Sequence, residues 1–508
     1  MESDVRVEGV GEEGMAPGPL NPNRWGLFAL AFGSGFAVLT IEIAGARLIA
    51  PVFGLSAVPW TAVIGVILAA LAVGSHLGGR LADSGALPLS TVLTAAGATG
   101  VLPVVGEGFP WMAREVLGFI PGAIVSAAVL FAPPVLCLGA VVPYLVQADT
   151  ESLGAVGRRA GDVSAAATVG SIAGTFLTGF VLLPAFPLPV LLGFTAAGLL
   201  ALAALSGRIL GRRAREGGLV LAAVGIAAVG YGAGRIPEGT LHAQQTLYSS
   251  VRVTEREWED GRRVREMFQN GGSSSAEYAD TGEPAHDYVT VSASLLGPAI
   301  RNISSALVLG GAALSLPVAF RRAHPGMRVT VVEIDPVVTD LAERYFAYGR
   351  QGSSGIDVVH EDGRVFLRNS DARFDLVYLD VFDHLLTVPW TMVTEEALTD
   401  MAARLEPGGI FMANVLSPLA GPGVAFLERF RATMERVFDE THVYLTDAAL
   451  DPLVTQNLIV VAGGAGAARP AAAWPEARVP PSGRPLTDAW APVEYLQAKV
   501  FLRGLGWS

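Results

Sequence analysis

The stretch that decides the fold of the C-terminal half is Ala306–Pro336, ALVLGGAALSLPVAFRRAHPGMRVTVVEIDP. Its first apolar run, ALVL, ends at Gly310-Gly311, and its second run, RVTVVE, ends in the acid Glu333. Each run is followed by residues with helical spacing. Short apolar runs that alternate with helices are typical of a parallel sheet covered by helices on both faces.

The same pattern continues twice more along the chain. Ile356–His360 predicts a third strand, which is followed by Asp362-Gly363, and Phe374–Asp380 predicts a fourth strand that again ends in an acid. In doubly wound sheets, ligands bind outside the carboxyl ends of the strands. We therefore predict a Rossmann-like, doubly wound parallel sheet with its ligand at that edge.

The residues at the strand ends suit a nucleoside. Gly310 and Gly311 would let the backbone approach it closely at a helix N-terminus. An acid about twenty residues further on, Glu333, can accept both ribose hydroxyls, and Asp362 with Gly363 is placed for the adenine amino group. Taken alone, Glu333 also fits a structural acid at a helix start, but acids at three successive strand ends favour a nucleoside site.

The fourth strand closes on two acids, Asp380 and Asp383, in the run LDVFDH. Two carboxylates can bind a metal, act as a general base, or hold a cationic amine. Metal binding is the weaker interpretation, because only the adjacent His384 stands near them as a further ligand, and we predict no metal. A nucleophilic amine must lose a proton, which a nearby carboxylate can accept. The structural alternative is a capped loop that begins a helix.

The N-terminal half has the composition of a membrane protein. Only 16% of the 508 residues are charged, against roughly a quarter in soluble domains, and charges are scarce up to about Gly234. A span needs about 20 mostly apolar residues, so we predict about seven spans in a multi-pass bundle of the cell membrane covering residues 24–234. The candidates are Trp25–Ala50, Trp60–Gly79, Pro88–Val105, Phe119–Val146 (as one bent helix), Val163–Ala185, Leu188–Leu205 and Gly218–Gly234.

The rest of the chain divides into three parts. Residues 1–23 predict a disordered tail, residues 240–305 a small β-hairpin region, and residues 306–508 the Rossmann-like nucleoside-binding domain. The net charge of −12 argues against a nucleic-acid partner, which would require clustered Lys and Arg. Cys137 is the only cysteine, which excludes disulfides within the chain and thiolate metal sites.

Polar residues within the predicted spans allow two interpretations. Glu42 and Arg47 lie in the first span and His76 in the second. Intramembrane charges are costly and usually face the bundle interior. They would line a polar pocket or substrate path, or Glu42 and Arg47 would form a buried pair that fixes helix packing.

The side of the membrane on which the C-terminal domain lies stays open at this point. The arginines that flank the predicted spans fall on one side if the N-terminus is inside, as the positive-inside rule favours. An odd number of spans would then place the domain outside, whereas a domain that uses a nucleoside made in the cytoplasm is expected inside. These arginines are Arg24, Arg80, Arg158, Arg159, Arg208, Arg212, Arg213 and Arg215.

The run from Ala306 to Asn414 resembles the spermidine synthase family of polyamine aminopropyltransferases. TLYSSVRV and LTDAWAPVEYL are similar to that family's start and end, and ARLIAPVFG, HLGGRLAD and GSIAGTFLTGFVLLP resemble the bundle of bacterial membrane-bound spermidine-synthase-like proteins. The resemblance implies an α-helical transmembrane bundle plus an α/β domain of the class I methyltransferase type, preceded by a small β region. The segments within the run are ALVLGGAALSLPVAF, VTVVEIDP, VVHEDGRVFL, FDLVYLDVFD and LEPGGIFMANV.

The resemblance also implies a reaction. Proteins of this family transfer an aminopropyl group from decarboxylated S-adenosylmethionine, a co-substrate, to an amine such as putrescine, with no tightly bound cofactor. By their position in the motifs, Asp380 would be the base and Asp383 would anchor the acceptor amine. Tyr288 and Gln269 would contact the amine, while the nucleoside residues keep the roles given above. The resemblance is compatible with a homodimer.

Three motifs depart from the family's pattern. The glycine loop reads GGAALS in place of GGGDGG, the acidic loop reads DVFDH in place of DSSDP, and Asn270-Gly271 replaces Asp-Gly. Phe382 and Trp390 would then offer a cation–π wall. Two alternatives follow: an S-adenosylmethionine-dependent methyltransferase, and a transporter or sensor with a non-catalytic nucleoside- or polyamine-binding domain, in which the intramembrane polar residues would carry the main function.

Overall fold

The structure is a computed structural model. It describes residues 22–54, 57–149, 156–210, 216–234, 238–258, 260–296, 303–351, 354–382, 387–463 and 474–499. The predicted tail, except for its last two residues, and the predicted amine anchor Asp383 lie outside the described residues.

The N-terminal half is helical, as its apolar composition predicts. Within the described residues, five helices are long and apolar enough to cross a membrane, or six if one pair bent by 72° forms a single span. The number of about seven spans stays a prediction, because only the short apolar helix Ala222–Tyr231 of the seventh candidate, Gly218–Gly234, is fully described. The helices are α1 Pro22–Phe53, α2 Ala57–Ser84, α3 Leu89–Thr99, α4 Leu102–Val105, α5 Phe109–Leu117, α6 Phe119–Leu130, α7 Ala132–Gly139, α8 Val141–Asp149, α9 Val156–Leu177, α10 Leu183–Ala185, α11 Leu188–Ile209 and α12 Glu216–Ala233.

Small residues bring the bundle helices close together. A Cβ on Gly170 of α9 would lie 2.0 Å from the carbonyl oxygen of Phe32 in α1, and one on Gly174 would lie 2.6 Å from that of Phe36. Helices in lipid associate through such close backbone packing. Near the starts of α1 and α9, buried Asp149 at the end of α8 pairs with Arg24 at 3.3 Å and with Arg159 at 3.2 Å.

The intramembrane polar residues do not pair as one interpretation expected. The Arg47 Nη2 atom donates to the carbonyl oxygen of Leu247, in the C-terminal half, at 3.0 Å rather than to Glu42. His76 is exposed on α2. The helix-locking Glu42–Arg47 pair is therefore wrong, because the turn at Leu247 reaches the guanidinium instead.

A four-stranded antiparallel sheet follows the bundle in the order β1-β2-β3-β4. The sequence predicted a small β-hairpin region here rather than a sheet of four strands. The outer strands were not predicted as separate strands. The sequence of β4, GSSSAEY, is polar and lacks the regular alternation of apolar and polar residues that predicts a strand. The strands are β1 Thr240–Gln245, β2 Ser250–Glu257, β3 Arg263–Gln269 and β4 Gly272–Tyr278.

The main sheet has seven strands in the order β10-β11-β9-β8-β5-β6-β7. Five neighbouring strands run parallel, which agrees with the predicted Rossmann-like sheet. The sheet is mixed rather than wholly parallel, because β11 pairs antiparallel with both β9 and β10. The strands are β5 Ser305–Leu309, β6 Arg328–Glu333, β7 Ile356–His360, β8 Phe374–Leu379, β9 Leu405–Ser417, β10 Glu440–Leu445 and β11 Gln456–Gly463.

Alternating side chains on the strands build two hydrophobic layers. On β5, Ala306 and Val308 pack into one layer, whereas Leu307 and Leu309 pack into the other. This period of two follows from the pleat, which sends successive side chains to opposite faces. The helices of the C-terminal half are α13 Asp287–Leu295, α14 Ser315–Ala323, α15 Pro336–Tyr345, α16 Ala347–Gln351, α17 Gly363–Asn369, α18 Glu395–Ala403, α19 Ala425–Met434 and α20 Val493–Ala498.

Candidate active site

A cavity of about 740 Å³ opens at the carboxyl ends of the parallel strands. Its wall combines the ends of the central strands with the β3–β4 hairpin and with Glu494 at the start of α20. Eight of the nine predicted site residues line this one cavity, and the ninth, Asp383, lies outside the described residues. The eight are Gln269, Tyr288, Gly310, Gly311, Glu333, Asp362, Gly363 and Asp380.

The loop after β5 has a glycine-like backbone even where glycine is absent. Gly310 has φ +92°, and a Cβ there would lie 2.2 Å from the carbonyl oxygen of Asp380. Ala312 and Leu314 also have positive φ, of 43° and 60°. Side chains rarely adopt this region, and a non-glycine residue held there stores about 1–3 kcal/mol of strain. The loop therefore keeps its shape through its surroundings, although the sequence GGAALS has lost glycines.

Glu333 links this loop to the end of β6. Its Oε2 atom accepts from the backbone N–H groups of Gly311 at 2.9 Å and Ala312 at 3.1 Å, and its Oε1 atom accepts from that of Asp335 at 3.0 Å. Burial raises the pKa of Glu333, and the three backbone donors act against that rise. A carboxylate has about four acceptor positions. One is therefore left for a ligand, where the sequence had suggested two ribose hydroxyls.

Asp362 has a structural role besides its place in the cavity wall. Its Oδ1 atom accepts from the backbone N–H groups of Arg364 at 2.9 Å and Val365 at 3.0 Å, which makes it the N-cap of α17. N-cap acids satisfy helix donors that would otherwise lack partners. Beside it, a Cβ on Gly363 would lie 3.1 Å from the Met392 side chain, so the backbone at this wall is closely packed.

Asp380 lies half-buried at the end of β8, between two neutral donors. The Tyr288 hydroxyl donates to its Oδ2 atom at 3.0 Å, and the Asn414 Nδ2 atom donates to its Oδ1 atom at 3.0 Å. Burial raises the pKa of Asp380 to about 6, and the two hydrogen bonds only partly oppose the rise. A carboxylate with this pKa is ionised near neutral pH and can still accept a proton.

Tyr288 remains a phenol in this arrangement. Burial raises its pKa well above the usual range, and the charge of Asp380 raises it further. The Tyr288 hydroxyl is therefore a permanent donor that orients the Asp380 carboxylate. Gln269, at the end of β3, lies in the same cavity wall, as do Phe382 and Trp390.

Sequence reasoning missed several polar residues of the cavity. Asn414 lies in the apolar part of β9, and a polar amide among apolar strand residues was a signal that could have identified it. His286 and Ser273 also line the cavity. Their signal was weak, because both lie in polar segments with no recognisable motif. Among the described residues, no cluster of three His, Cys, Asp or Glu side chains has the arrangement of a metal site.

The cavity lies beside the end of the helical bundle. The Glu494 Oε2 atom accepts from the backbone N–H of Ala57, the first residue of α2, at 3.2 Å. A Cβ on Gly271, in the β3–β4 turn, would lie 2.7 Å from the carbonyl oxygen of Pro51 in α1. With the contact of Arg47 to Leu247, these interactions dock the cavity rim onto the corner between α1 and α2.

Comparisons with known proteins agree with this geometry. Residues 288–449 match the family described as spermine/spermidine synthase domain. The chain is 30% identical over 177 residues to a probable polyamine aminopropyl transferase of Bifidobacterium longum, which covers 35% of this chain and 38% of that protein. It is 26% identical over 421 residues to polyamine aminopropyltransferase 1 of Streptomyces coelicolor, which covers 76% of this chain and 74% of that protein.

Among solved structures, a probable spermidine synthase from Corynebacterium glutamicum is similar at 20% identity and a TM-score of 0.38, over 45% of this chain and 81% of that one. The family match confirms the resemblance inferred from the sequence motifs, and the strand order of the main sheet confirms the predicted fold class. Residues 288–449 thus match a spermine/spermidine synthase domain, and polyamine aminopropyltransferases are among the proteins to which the chain is similar. The apolar helices that precede this part are consistent with a membrane bundle.

Proposed function

We propose that this protein is a membrane-bound aminopropyltransferase. It transfers the aminopropyl group of decarboxylated S-adenosylmethionine to an amine such as putrescine and releases methylthioadenosine. The observation that carries the proposal is the environment of Asp380, whose carboxylate is flanked by two neutral donors and has a pKa raised to about 6. An amine nucleophile needs such a base at the carboxyl edge of the sheet.

The reaction forms one bond and breaks one. The acceptor nitrogen attacks the aminopropyl carbon next to sulfur, a C–N bond forms, and the C–S bond electrons return to sulfur. The sulfonium becomes a neutral thioether, and the proton lost from nitrogen passes to Asp380. Tyr288 and Asn414 hold the carboxylate in place while its charge changes.

The donor nucleoside would occupy the half of the cavity formed by the ends of β5, β6 and β7. Glu333 has one acceptor position left for a ribose hydroxyl, and Asp362 retains its Oδ2 atom for the adenine amino group. The backbone would approach the nucleoside closely at three glycines, which have no side chain to prevent it: Gly310, Gly311 and Gly363. Asp383 stays in the proposal as the anchor of the acceptor amine.

Product analysis of the purified full-length protein tests the proposal. With decarboxylated S-adenosylmethionine and putrescine, we expect release of methylthioadenosine, and we expect Asp380→Asn to slow it by about 100-fold or more, as is typical for loss of a general base. Asp375→Asn is the control, because Asp375 lies on the same strand but is bonded to Ser304 and Ser305 outside the cavity. Equal rates for Asp380→Asn and the wild type would contradict the assignment of the base.

One observation favours a second candidate. The loop GGAALS offers no acid for the cationic aminopropyl chain of the donor, so ordinary S-adenosylmethionine is the alternative donor and methyl transfer the alternative reaction. Release of S-adenosylhomocysteine instead of methylthioadenosine would support this candidate. If neither methylthioadenosine nor S-adenosylhomocysteine is released with any amine, while the nucleoside still binds, both reactions are contradicted. The protein would then be a sensor with a non-catalytic binding domain.

A further inference from the structure

A chain of hydrogen bonds crosses the small antiparallel sheet and ends at the cavity. Glu266, on β3, is buried and accepts from Arg256 Nε at 2.7 Å and from Trp258 Nε1 at 3.4 Å. The Ser273 hydroxyl, on β4, donates to Glu266 Oε1 at 3.0 Å. The His286 Nε2 atom lies 3.1 Å from the same Ser273 oxygen.

The directions of these bonds fix the tautomer of His286. An ionised carboxylate can only accept hydrogen bonds, so the single proton of Ser273 is committed to Glu266. The Ser273 oxygen can then only accept from His286, which puts the imidazole proton on Nε2. In a neutral imidazole the other nitrogen, Nδ1, is left as an acceptor.

The surroundings of His286 favour its neutral form. Burial lowers its pKa, although the charges of Glu266 and Asp287 act in the opposite direction. Within the described part of the chain Nδ1 has no hydrogen-bond partner, and it does not belong to the polar atoms that are sealed from solvent. Within the described residues, Nδ1 is thus an acceptor atom with no protein partner, and it belongs to a residue that lines the cavity.

His286 lies near the residues proposed to act on the amine. Its ring lies 5.9 Å from the ring of Tyr288, whose hydroxyl donates to Asp380. In the same wall, the Asn270 Oδ1 atom is occupied by the backbone N–H of Ser250 at 3.0 Å. The β3–β4 turn has Asn270-Gly271 where the family pattern has Asp-Gly, so this turn supplies no carboxylate to the cavity wall.

We propose that His286 is a specificity-determining residue whose Nδ1 atom accepts a hydrogen bond from a second donor group of the acceptor amine. The proposal rests on the proposed function. It selects acceptors that carry another N–H or O–H group beyond the reacting nitrogen, such as a diamine or an amino alcohol. A plain alkylamine would react at Asp380 without this contact.

Two conservative variants separate the two ring nitrogens. His286→Gln keeps a donor towards Ser273 but loses the acceptor at Nδ1, whereas His286→Asn keeps an acceptor close to the Nδ1 position. We expect His286→Gln to raise the KM for putrescine about 10-fold or more, since a hydrogen bond to a charged group contributes about that factor. We expect little change in kcat, and less than about a 3-fold change in either constant for butylamine.

His286→Asn should keep the KM for putrescine within about 3-fold of the wild type, because it restores the acceptor. Glu494→Gln is the matched control for simple charge attraction, since this acid also lines the cavity. An equal rise in KM for putrescine and butylamine, or no rise for either, would overturn the proposal. A rise caused only by Glu494→Gln would overturn it too.

Calorimetric binding of putrescine keeps this test independent of turnover. If the wild type binds putrescine without releasing methylthioadenosine, and His286→Gln weakens binding by about 10-fold, the His286 contact stands while the transferase function fails. If turnover occurs but neither KM nor binding responds to His286→Gln, the transferase function stands and the contact fails. If the wild type neither binds nor alkylates any amine, both are wrong.

Discussion

At the scale of single residues, the chemistry depends on how Asp380 balances burial against two hydrogen bonds. Burial raises the pKa of this carboxyl to about 6, while Asn414 and Tyr288 lower it by a smaller amount. Both partners are neutral, so they orient the carboxylate without holding it permanently ionised. A nearby cation would have lowered the pKa and made the carboxylate a weaker base.

This balance predicts how stability depends on pH. The pKa of Asp380 is raised on folding, so its contribution to stability is present below about pH 4 and is lost as pH rises through about 6. Asp380→Asn should therefore gain in unfolding free energy relative to the wild type between pH 4 and 7, on the order of 2 kcal/mol after allowing for water in the cavity. Denaturant unfolding of the two proteins at several pH values measures this difference.

Asp375, on the same strand, provides the contrast. Burial acts to raise its pKa, but hydrogen bonds from Ser304 and Ser305 outweigh burial, and the net pKa is lowered. The stabilising contribution of Asp375 is complete above the pKa that this carboxyl has in the unfolded chain, and it is lost only at lower pH. The difference between Asp375→Asn and the wild type should stay constant from about pH 5 to 7. A flat curve for Asp380→Asn over the same range would contradict the pKa assigned to Asp380.

At the scale of elements, the loop between β5 and α14 sets the shape of the donor half of the cavity. Gly310 meets the backbone of Asp380, and Leu309 pairs with Leu379 in the sheet. The loop and the catalytic strand end are therefore one packed unit. A side chain at residue 310 has to displace the backbone that carries Asp380.

Gly310→Ala should accordingly lower both stability and activity. The added Cβ would lie 2.2 Å from the Asp380 carbonyl oxygen in a backbone with φ +92°, and we expect a loss of about 2 kcal/mol or more. Gly326→Ala is the control, since no atom lies within 4 Å of a Cβ there. Thermal unfolding and methylthioadenosine release measure both effects. Wild-type behaviour of Gly310→Ala would show that this contact is not required.

At the scale of the whole molecule, most arginines in the described helices of the bundle lie at the end opposite the C-terminal domain. Arg24 and Arg159 meet at Asp149, whereas Pro51 and Ala57 contact the domain. The last helix returns to the domain end, because Gly230 of α12 packs on Gly193, near the start of α11. At the domain end, the described helices α1 and α5 carry Arg47 and Arg114.

The positive-inside rule then predicts that the C-terminal domain faces away from the cytoplasm. A periplasmic-type phosphatase reporter fused to the C-terminus should be active, and a fluorescent protein that folds only in the cytoplasm should be dark. The same two reporters fused to the N-terminus should give the reverse result, which controls for expression. A fluorescent C-terminal fusion would instead agree with synthesis of the donor in the cytoplasm.

The sequence by itself determined the helical bundle, the central parallel strands and the acids at their ends. These features depend on local information: apolar length fixes a membrane helix, and a short apolar run ending in glycine or an acid fixes a strand of this fold. Asp380 and Glu333 were found in this way, each at the end of its own strand.

Only the tertiary structure decided what surrounds those acids. Asn414 is 34 residues from Asp380 and Tyr288 is 92 residues away, and they meet because β9 and α13 pack beside β8. Strand β11 likewise takes its place by pairing with β9, where Gln456 lies opposite Ser417. Contacts between the two halves of the chain dock the cavity on α1 and α2. The free acceptor on His286 results from hydrogen bonds across the β3–β4 hairpin. No local sequence pattern encodes either arrangement.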